Sequence, residues 1–371
     1  MRIVQVAPFY SPVIGGVEEV VRRVAEYMVD RGHEVYVVTY NRLRIGGTGS
    51  LPREEEINGV RVIRVKPNLT WSHGTYSSEL PETIKRLKPD VVHVHVWRHP
   101  HVFQVVRLRE ELGFKAILSP HAPFHRLSQL GAVIWLYHRV VDAMGRGALK
   151  RYDAIAALTP QEKDILTRRL GVDEDKVVII PNGIEDEFVK SVENGGPKDM
   201  EMVLYVGRIS KSKNIGLLIK VAKHLNPRFR VVLAGPDEGL IKKLTAKTRG
   251  ARIEYRGTVV GKEKASLYSS AGVYVNPALY EAFGIALLEA QAAGVPCVIT
   301  GNGGQIYAAP PGKTSLYAKP NPKDMAEKIM QLLADQELYR ELSKNAREWA
   351  RQHTWSKILP MYEELYMKYT E

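Results

Sequence analysis

Residues 274–300, YVNPALYEAFGIALLEAQAAGVPCVIT, leave the chain few ways to fold. An apolar run at 273–275 stops at Asn276-Pro277, a loop continues to Glu281, and helical composition begins near Phe283. Gly294 ends the helix ahead of a second apolar run at 295–299. Strand, loop, helix and strand in this order build a parallel sheet, and such sheets bind ligands at the carboxyl ends of their strands. Between Ile285 and Ala293 the helix carries only two polar residues, Glu289 and Gln291, whereas a solvated face holds more. Glu289 therefore reads as a carboxylate in an apolar wall that must find donors. Glu281 stands eight residues earlier, ahead of the helix start. Two readings are open. Glu281 complements the helix dipole while Glu289 pairs with an arginine of another element. Alternatively, the two carboxylates embrace a polyhydroxy ligand whose phosphates rest on the free amides of a glycine-bearing helix start.

The rest of the chain repeats this α/β pattern. A length of 371 residues suits two domains. Residues 2–7 predict a strand, 17–31 a helix and 35–39 a second strand, with Gly15-Gly16 at the helix start. Glycine there lets a phosphate-bearing ligand approach backbone amides; the alternative is an ordinary turn. No GxGxxG is present, which removes the main support for a nicotinamide dinucleotide. Strand patterns follow at 60–65, 91–96, 116–119, 154–157 and 177–180. His121 lies just past the carboxyl end of the 116–119 strand, pointing to a ligand crevice unless it is purely structural. After the linker-like ENGGPK at 193–198, strands at 202–206, 231–234 and 253–255 and a helix at 215–225 begin a second run. Helices at 325–333, 338–350 and 355–369 close the chain.

Charge and composition narrow the function classes. The net charge is +12, divided evenly: residues 1–183 carry 26 Lys/Arg against 20 Asp/Glu, and the remainder 27 against 21. A nucleic-acid module would concentrate that charge, so anionic substrates or an anionic membrane surface fit better. The single cysteine, Cys297, precludes an intrachain disulfide. With no signal peptide and no apolar run of the ~18 residues a membrane span needs, a cytoplasmic protein is expected. In residues 124–151, Leu127, Leu130, Val133, Ile134, Tyr137, Val140, Val141 and Met144 recur at helical spacing. Residues 126–151 hold five Lys/Arg and Trp135 against one acid, Asp142. This predicts either a basic surface helix touching a membrane, or a core-facing stripe with solvated charges. A D-x-D at Asp173-Glu174-Asp175, a metal-holding pattern elsewhere, follows Gly171 in a loop and reads as a solvated turn.

The run from Glu281 to Glu289, followed by Gly294-Val-Pro, closely resembles the EX7E signature of retaining glycosyltransferases, nearest to family 4 with its GT-B fold. The likeness covers nearly the whole chain. It takes in Gly15-Gly16 with Glu18, DVVHVH at 90–95, His121, IPNGI at 180–184, GRISKSKN at 207–214 and LAGP at 233–236. It implies two Rossmann-like parallel-sheet domains facing a cleft. An acceptor-side domain would span 1–183 and a nucleotide-sugar-binding domain 184–354, with a helix at 355–371 packing back on the first domain. The implied activity is hexosyl transfer, with retention of anomeric configuration, from a UDP- or GDP-linked sugar to an acceptor hydroxyl. A lipid-linked acceptor is the one that membrane contact through 124–151 would serve. No cofactor, metal, covalent nucleophile or nucleic acid is expected.

The resemblance also implies roles for single residues. Arg208 and Lys213 would clamp the donor diphosphate. Gly284 with its neighbours Phe283 and Ile285 would offer amides, as would Gly15 and Gly16. Glu289 would accept from the ribose hydroxyls, Glu281 would hold the transferred sugar, and Val259 would present backbone to the base. His121 would orient sugar or acceptor from the first domain. Two departures stand out: Gly303-Gly304-Gln305-Ile306-Tyr307 has tyrosine where the family's loop has glutamate, and Ala122-Pro123 replaces an acidic residue that often follows the histidine. Other classes with this shape are a nucleotide-sugar epimerase, a phosphorylase-like enzyme, and a non-catalytic nucleotide-binding module at a membrane.

Overall fold

The computed structural model describes all residues except 14, 44–50, 72–73, 122–123, 125–126, 128–130, 194, 246–251 and 371. The chain divides into two units, Met1–Pro181 with Ile358–Glu371, and Asn182–Lys357. The expected boundaries were 183/184 and 354/355. The chain passes between units beside the bridge from Ile184 to Thr354, where Trp355 N donates to Ile184 O at 2.9 Å.

In unit one the strands are β1 (Arg2–Val6), β2 (Glu34–Tyr40), β3 (Glu54–Ile57), β4 (Val60–Val65), β5 (Leu69–Trp71), β6 (Gly74–Tyr76), β7 (Val91–His95), β8 (Lys115–Ser119), β9 (Ala154–Ala157) and β10 (Val177–Ile179). Eight of them form one sheet in the order β10-β9-β8-β7-β1-β2-β4-β3, parallel except where β3 meets β4. The order reverses between β1 and β7, which makes their carboxyl ends the switch point of the sheet. Every residue of β7 is buried. Val92 and Val94 join the core beneath the helices Glu79–Leu87 and Pro100–Leu112, so His93 and His95 lie on the opposite face. The helix Trp355–Thr370 returns to cover that face, with Tyr366 Oη 2.6 Å from His93 Nδ1. Glu363 of the same helix accepts from Tyr27 at 2.8 Å and from Arg31 at 2.9 Å.

Unit two adds β11 (Asp199–Val206), β12 (Arg230–Ala234), β13 (Arg252–Tyr255), β14 (Ala271–Asn276), β15 (Cys297–Ile299) and β16 (Ser315–Tyr317), a six-stranded parallel sheet ordered β13-β12-β11-β14-β15-β16. The switch point falls between β11 and β14. The stretch that opened the sequence argument folds as expected, with β14 wholly buried and the helix Ile285–Ala292 leading to β15. That helix ends in paired bonds from Gly294 N to Gln291 O (2.8 Å) and Val295 N to Ala290 O (2.9 Å). Those bonds occupy Val295, so the strand expected at 295–299 begins only at Cys297. The helix expected over 215–225 is Ile215–Val221, and the chain then turns ahead of Pro227.

One expectation is overturned in part. The helix in the 124–151 stretch runs over Ala132–Lys150 and buries Asp142, Gly145 and Leu149. Leu130 and Arg126 lie outside the described residues. The apolar stripe divides: Val133 is 83% exposed, Met144 81% and Val140 46%, with Leu136 beside them at 58%, while Ile134, Tyr137 and Val141 are half-buried.

Candidate functional site

In unit two the loops at the carboxyl ends of β11 and β14 are tied together. Asn214, in the left-handed conformation (φ 54°), donates from Nδ2 to Pro277 O at 3.1 Å. That bond fixes Lys213, whose ammonium lies 2.7 and 2.6 Å from the two carboxylate oxygens of Glu281, both side chains part-buried. Gly284 follows at φ 102°, a conformation that favours glycine, and stands at the N-cap of Ile285–Ala292. Phe283 beside it is buried. The start of this helix thus presents unpaired backbone amides next to a lysine.

The Gly303-Gly304 pair serves this loop. Gly304 N donates to Glu281 O at 2.7 Å, and a Cβ on Gly304 would fall 2.2 Å from Ala282 O. Tyr307 turns its ring to Phe283 (centroids 5.9 Å apart), Trp349 (5.9 Å) and His353 (5.7 Å). At the position where the family's loop has glutamate, this chain therefore has aromatic packing behind the Glu281–Gly284 loop.

Glu289 finds its donors, and they are not arginine. Lys264 Nζ lies 2.6 Å from Oε1 and Tyr268 Oη 2.8 Å from Oε2, both from the helix Gly261–Ser270. Burial, with Glu289 next, pushes the Tyr268 phenol well above its usual range, so it donates at any working pH. Val259 is buried just ahead of that helix. Arg208 does not join Lys213. Its guanidinium stands in the open, 3.4 Å from Glu238. Lys264 and Tyr268 escaped the sequence reading and Asn214 entered it only within the 207–214 run, because nothing in their spacing marks them as partners of Glu289 or of the Pro277 loop.

In unit one Gly15, extended at φ 178°, caps the helix Gly16–Asp30, and an added Cβ on Gly16 would meet nothing within 4 Å. Gly16 does not demand glycine for local reasons. His121 follows β8 at φ 43°, and Val96 and Arg98, after β7, each sit at φ 72°. A β-branched residue at positive φ is strained, and strain collects at functional positions. Asp142 holds this loop from the helix Ala132–Lys150. It accepts from Arg98 Nε (2.8 Å) and Nη2 (3.0 Å) and from Trp97 Nε1 (2.9 Å), all buried. Behind the loop lie four buried histidines whose protonation burial opposes. It lowers His93 to about 3, His101 to about 4 and His121 to about 4, and pulls His95 well below its usual range. Asp173, Glu174 and Asp175 are exposed, with Glu174 3.5 Å from Lys163. Among the described residues no three His, Cys, Asp or Glu side chains converge as metal ligands.

Two Rossmann-like sheets, each open at a switch point, are the GT-B fold of glycosyltransferases. The structure superposes on sucrose-phosphate synthase from Thermosynechococcus elongatus with a TM-score of 0.78 at 24% identity, covering 99% of this chain and 98% of that one. It superposes on Anabaena HepE, solved in complex with UDP-glucose, with a TM-score of 0.75 at 14% identity over 99% and 100% of the chains. In sequence, residues 14–188 match Glycosyltransferase Family 4 and residues 186–349 match Glycosyl transferases group 1. An uncharacterized glycosyltransferase of Methanocaldococcus jannaschii is 29% identical over 96% of each chain. The chain belongs to the GT-B glycosyltransferases of the family 4 type.

Proposed function

We propose that the protein transfers a hexosyl group from a UDP- or GDP-linked sugar to an acceptor hydroxyl with retention of anomeric configuration. The observation that carries this is the Lys213–Glu281 pair beside the Gly284 helix start, with Glu289 on the same helix. In this reading the donor diphosphate takes Lys213 away from Glu281, rests on the amides of Gly284 and Ile285, and draws in exposed Arg208. Released from the lysine, Glu281 accepts from hydroxyls of the transferred sugar. Glu289 exchanges Lys264 for the ribose hydroxyls, and the backbone near Val259 meets the base. The bond from the anomeric carbon to the diphosphate breaks with its electron pair on the diphosphate. The acceptor oxygen bonds to that carbon from the same face, and its proton passes to the departing phosphate oxygen. Two cations on the leaving group supply the charge a metal would bring, so we assign neither metal nor cofactor to the step. In unit one, His121 orients the sugar or the acceptor. Product formed from an α-linked donor should keep the α anomeric coupling by proton NMR and should form in EDTA; an inverted product or loss of activity in chelator refutes the corresponding part.

The exposed stripe supports a lipid-linked acceptor met at the cytoplasmic face of a membrane. Val133, Leu136, Val140 and Met144 stand on one side of Ala132–Lys150, flanked by exposed Arg139, Arg146 and Lys150, while the helix's one acid is buried against Arg98. None of the described helices is long and apolar enough to cross a membrane, so contact would be peripheral. Each basic residue near an anionic surface contributes about 1 kcal/mol, screened by salt. Sedimentation with anionic vesicles, reversed by salt and abolished by Arg139→Glu with Arg146→Glu, is the expected result. Self-association of the free protein through Val133 and Met144, without vesicle binding, would assign the stripe to a second copy instead.

A further inference from the structure

The buried histidines of unit one form a directed chain. His95 Nε2 lies 2.9 Å from Gln5 Oε1, and His95 Nδ1 lies 3.1 Å from His121 Nε2, the two ring planes 16° apart. An amide oxygen only accepts, so His95 must carry its proton on Nε2, which leaves a lone pair on Nδ1. Only an N–H at His121 Nε2 can fill that lone pair. His121 is then the Nε2–H tautomer, with a lone pair on Nδ1 that accepts no hydrogen bond from a described residue. Both rings are neutral at pH 7, since burial lowers His121 to about 4 and His95 further. The arrangement is not the cheapest for stability: Gln5 is fully buried, and its Nε2 donor goes unsatisfied. A buried, unpaired donor in a central strand calls for another reason, and the strained backbone of His121 lies at the other end of the same chain.

We propose that Gln5 and His95 are positioning residues that hold His121 as the Nε2–H tautomer, so that its Nδ1 accepts a hydrogen bond from a hydroxyl of the transferred sugar or of the acceptor. This rests on the assignment of His121 to the transfer reaction. The ligand chemistry follows from the tautomer: an Nδ1 lone pair recognises a hydroxyl donor and rejects a group at the same position that can only accept. His93 is bonded instead to Tyr366 and to Ser119 Oγ (2.8 Å), so its tautomer is set outside the chain although its ring centroid lies 4.1 Å from that of His95.

The test reads the tautomer in the free enzyme and turnover separately. In protein with 15N-labelled histidine, long-range proton–nitrogen correlation should show His121 protonated on Nε2 and bare on Nδ1. Gln5→Met frees His95 to take either tautomer, and His95→Phe removes the lone pair outright. In each, His121 should become a mixture of tautomers while His93 keeps the tautomer that Tyr366 and Ser119 impose. The value of kcat should fall roughly two- to tenfold, as for one lost neutral hydrogen bond, with nucleotide affinity unchanged. Gln5→Met is the milder change and keeps the test open if His95→Phe does not fold. A wild-type His121 protonated on Nδ1, or a tautomer unmoved in both variants, overturns the proposal. A tautomer that shifts as expected with kcat unchanged supports the chain and overturns instead the assignment of His121 to the transfer reaction.

Discussion

Mild acid should destabilise unit one well above the pH at which carboxylates titrate. His93, His95, His101 and His121 are buried and neutral in the fold, and burial is the first cause of each lowered pKa. In the unfolded chain they titrate near 6.5, so below that pH the unfolded state binds more protons and stability falls. The loss continues until pH reaches the folded values, about 4 for His101 and His121. Between about pH 7 and about pH 5.5 each histidine removes about 1.3 kcal/mol, so four acting independently remove roughly 5 kcal/mol. A domain's whole stability is typically about 5–15 kcal/mol. Glu19, Glu34, Glu79, Asp153 and Glu363 in the same unit have lowered pKa values, so the stability they add is lost only as pH falls below the ordinary carboxylate range. Unit two contains just two of the eleven histidines, His224 and His353. Hydrogen exchange of peptides covering β7 and β8, corrected for intrinsic rates, should lose protection steeply over this range, while peptides covering β11 and β14 lose far less. His101→Gln should flatten the first slope by about a quarter. Equal protection of β7 at both pH values would refute the buried-neutral assignment.

Other substitutions test single contacts. Gly304→Ala drives a Cβ into Ala282 O; it should shift the 280–284 loop and weaken nucleoside diphosphate binding by calorimetry, with little change in the melting of unit one. Asp142→Ala strands Arg98 in a buried position and should cost about 3–5 kcal/mol in urea unfolding; a cost below about 1 kcal/mol would contradict the buried pair. Lys213→Ala should depress turnover more than donor binding, because the charge it meets grows in the transition state; a change confined to KM would contradict that role.

The legible parts of this chain were those where local chemistry and tertiary structure agree. The run from β14 to β15 announces itself because an almost uncharged helix between two apolar strands suits only a doubly covered parallel sheet. The alternating valines and histidines of β7 likewise mark a strand. What lay hidden depends on residues distant in sequence. Lys264 and Glu289 are 25 positions apart, and Gln5 and His95 are 90 apart; only folding brings either pair together. The stripe on Ala132–Lys150 was ambiguous for a different reason. Helical periodicity identifies an apolar side but says nothing of what covers it, and here the core takes Asp142, Gly145 and Leu149 instead. Tyr307 looked like a lost donor contact because its ring partners, Phe283 and the neighbouring pair Trp349 and His353, come from two segments distant from it in sequence.

The central claim is that Glu289 and its helix hold the nucleotide of the donor, and titration calorimetry of UDP and GDP against the full chain tests it most directly. One of the two should bind the wild-type protein, and Glu289→Ala should weaken that binding by roughly ten- to a hundredfold, the loss expected for about 1.5–3 kcal/mol of charged hydrogen bonding. Glu281→Ala, which loses contacts to the sugar and removes the carboxylate that holds Lys213 in the free protein, should leave the affinity for the diphosphate unchanged or raise it. Unaltered binding in Glu289→Ala, or equal losses in both variants, would contradict it.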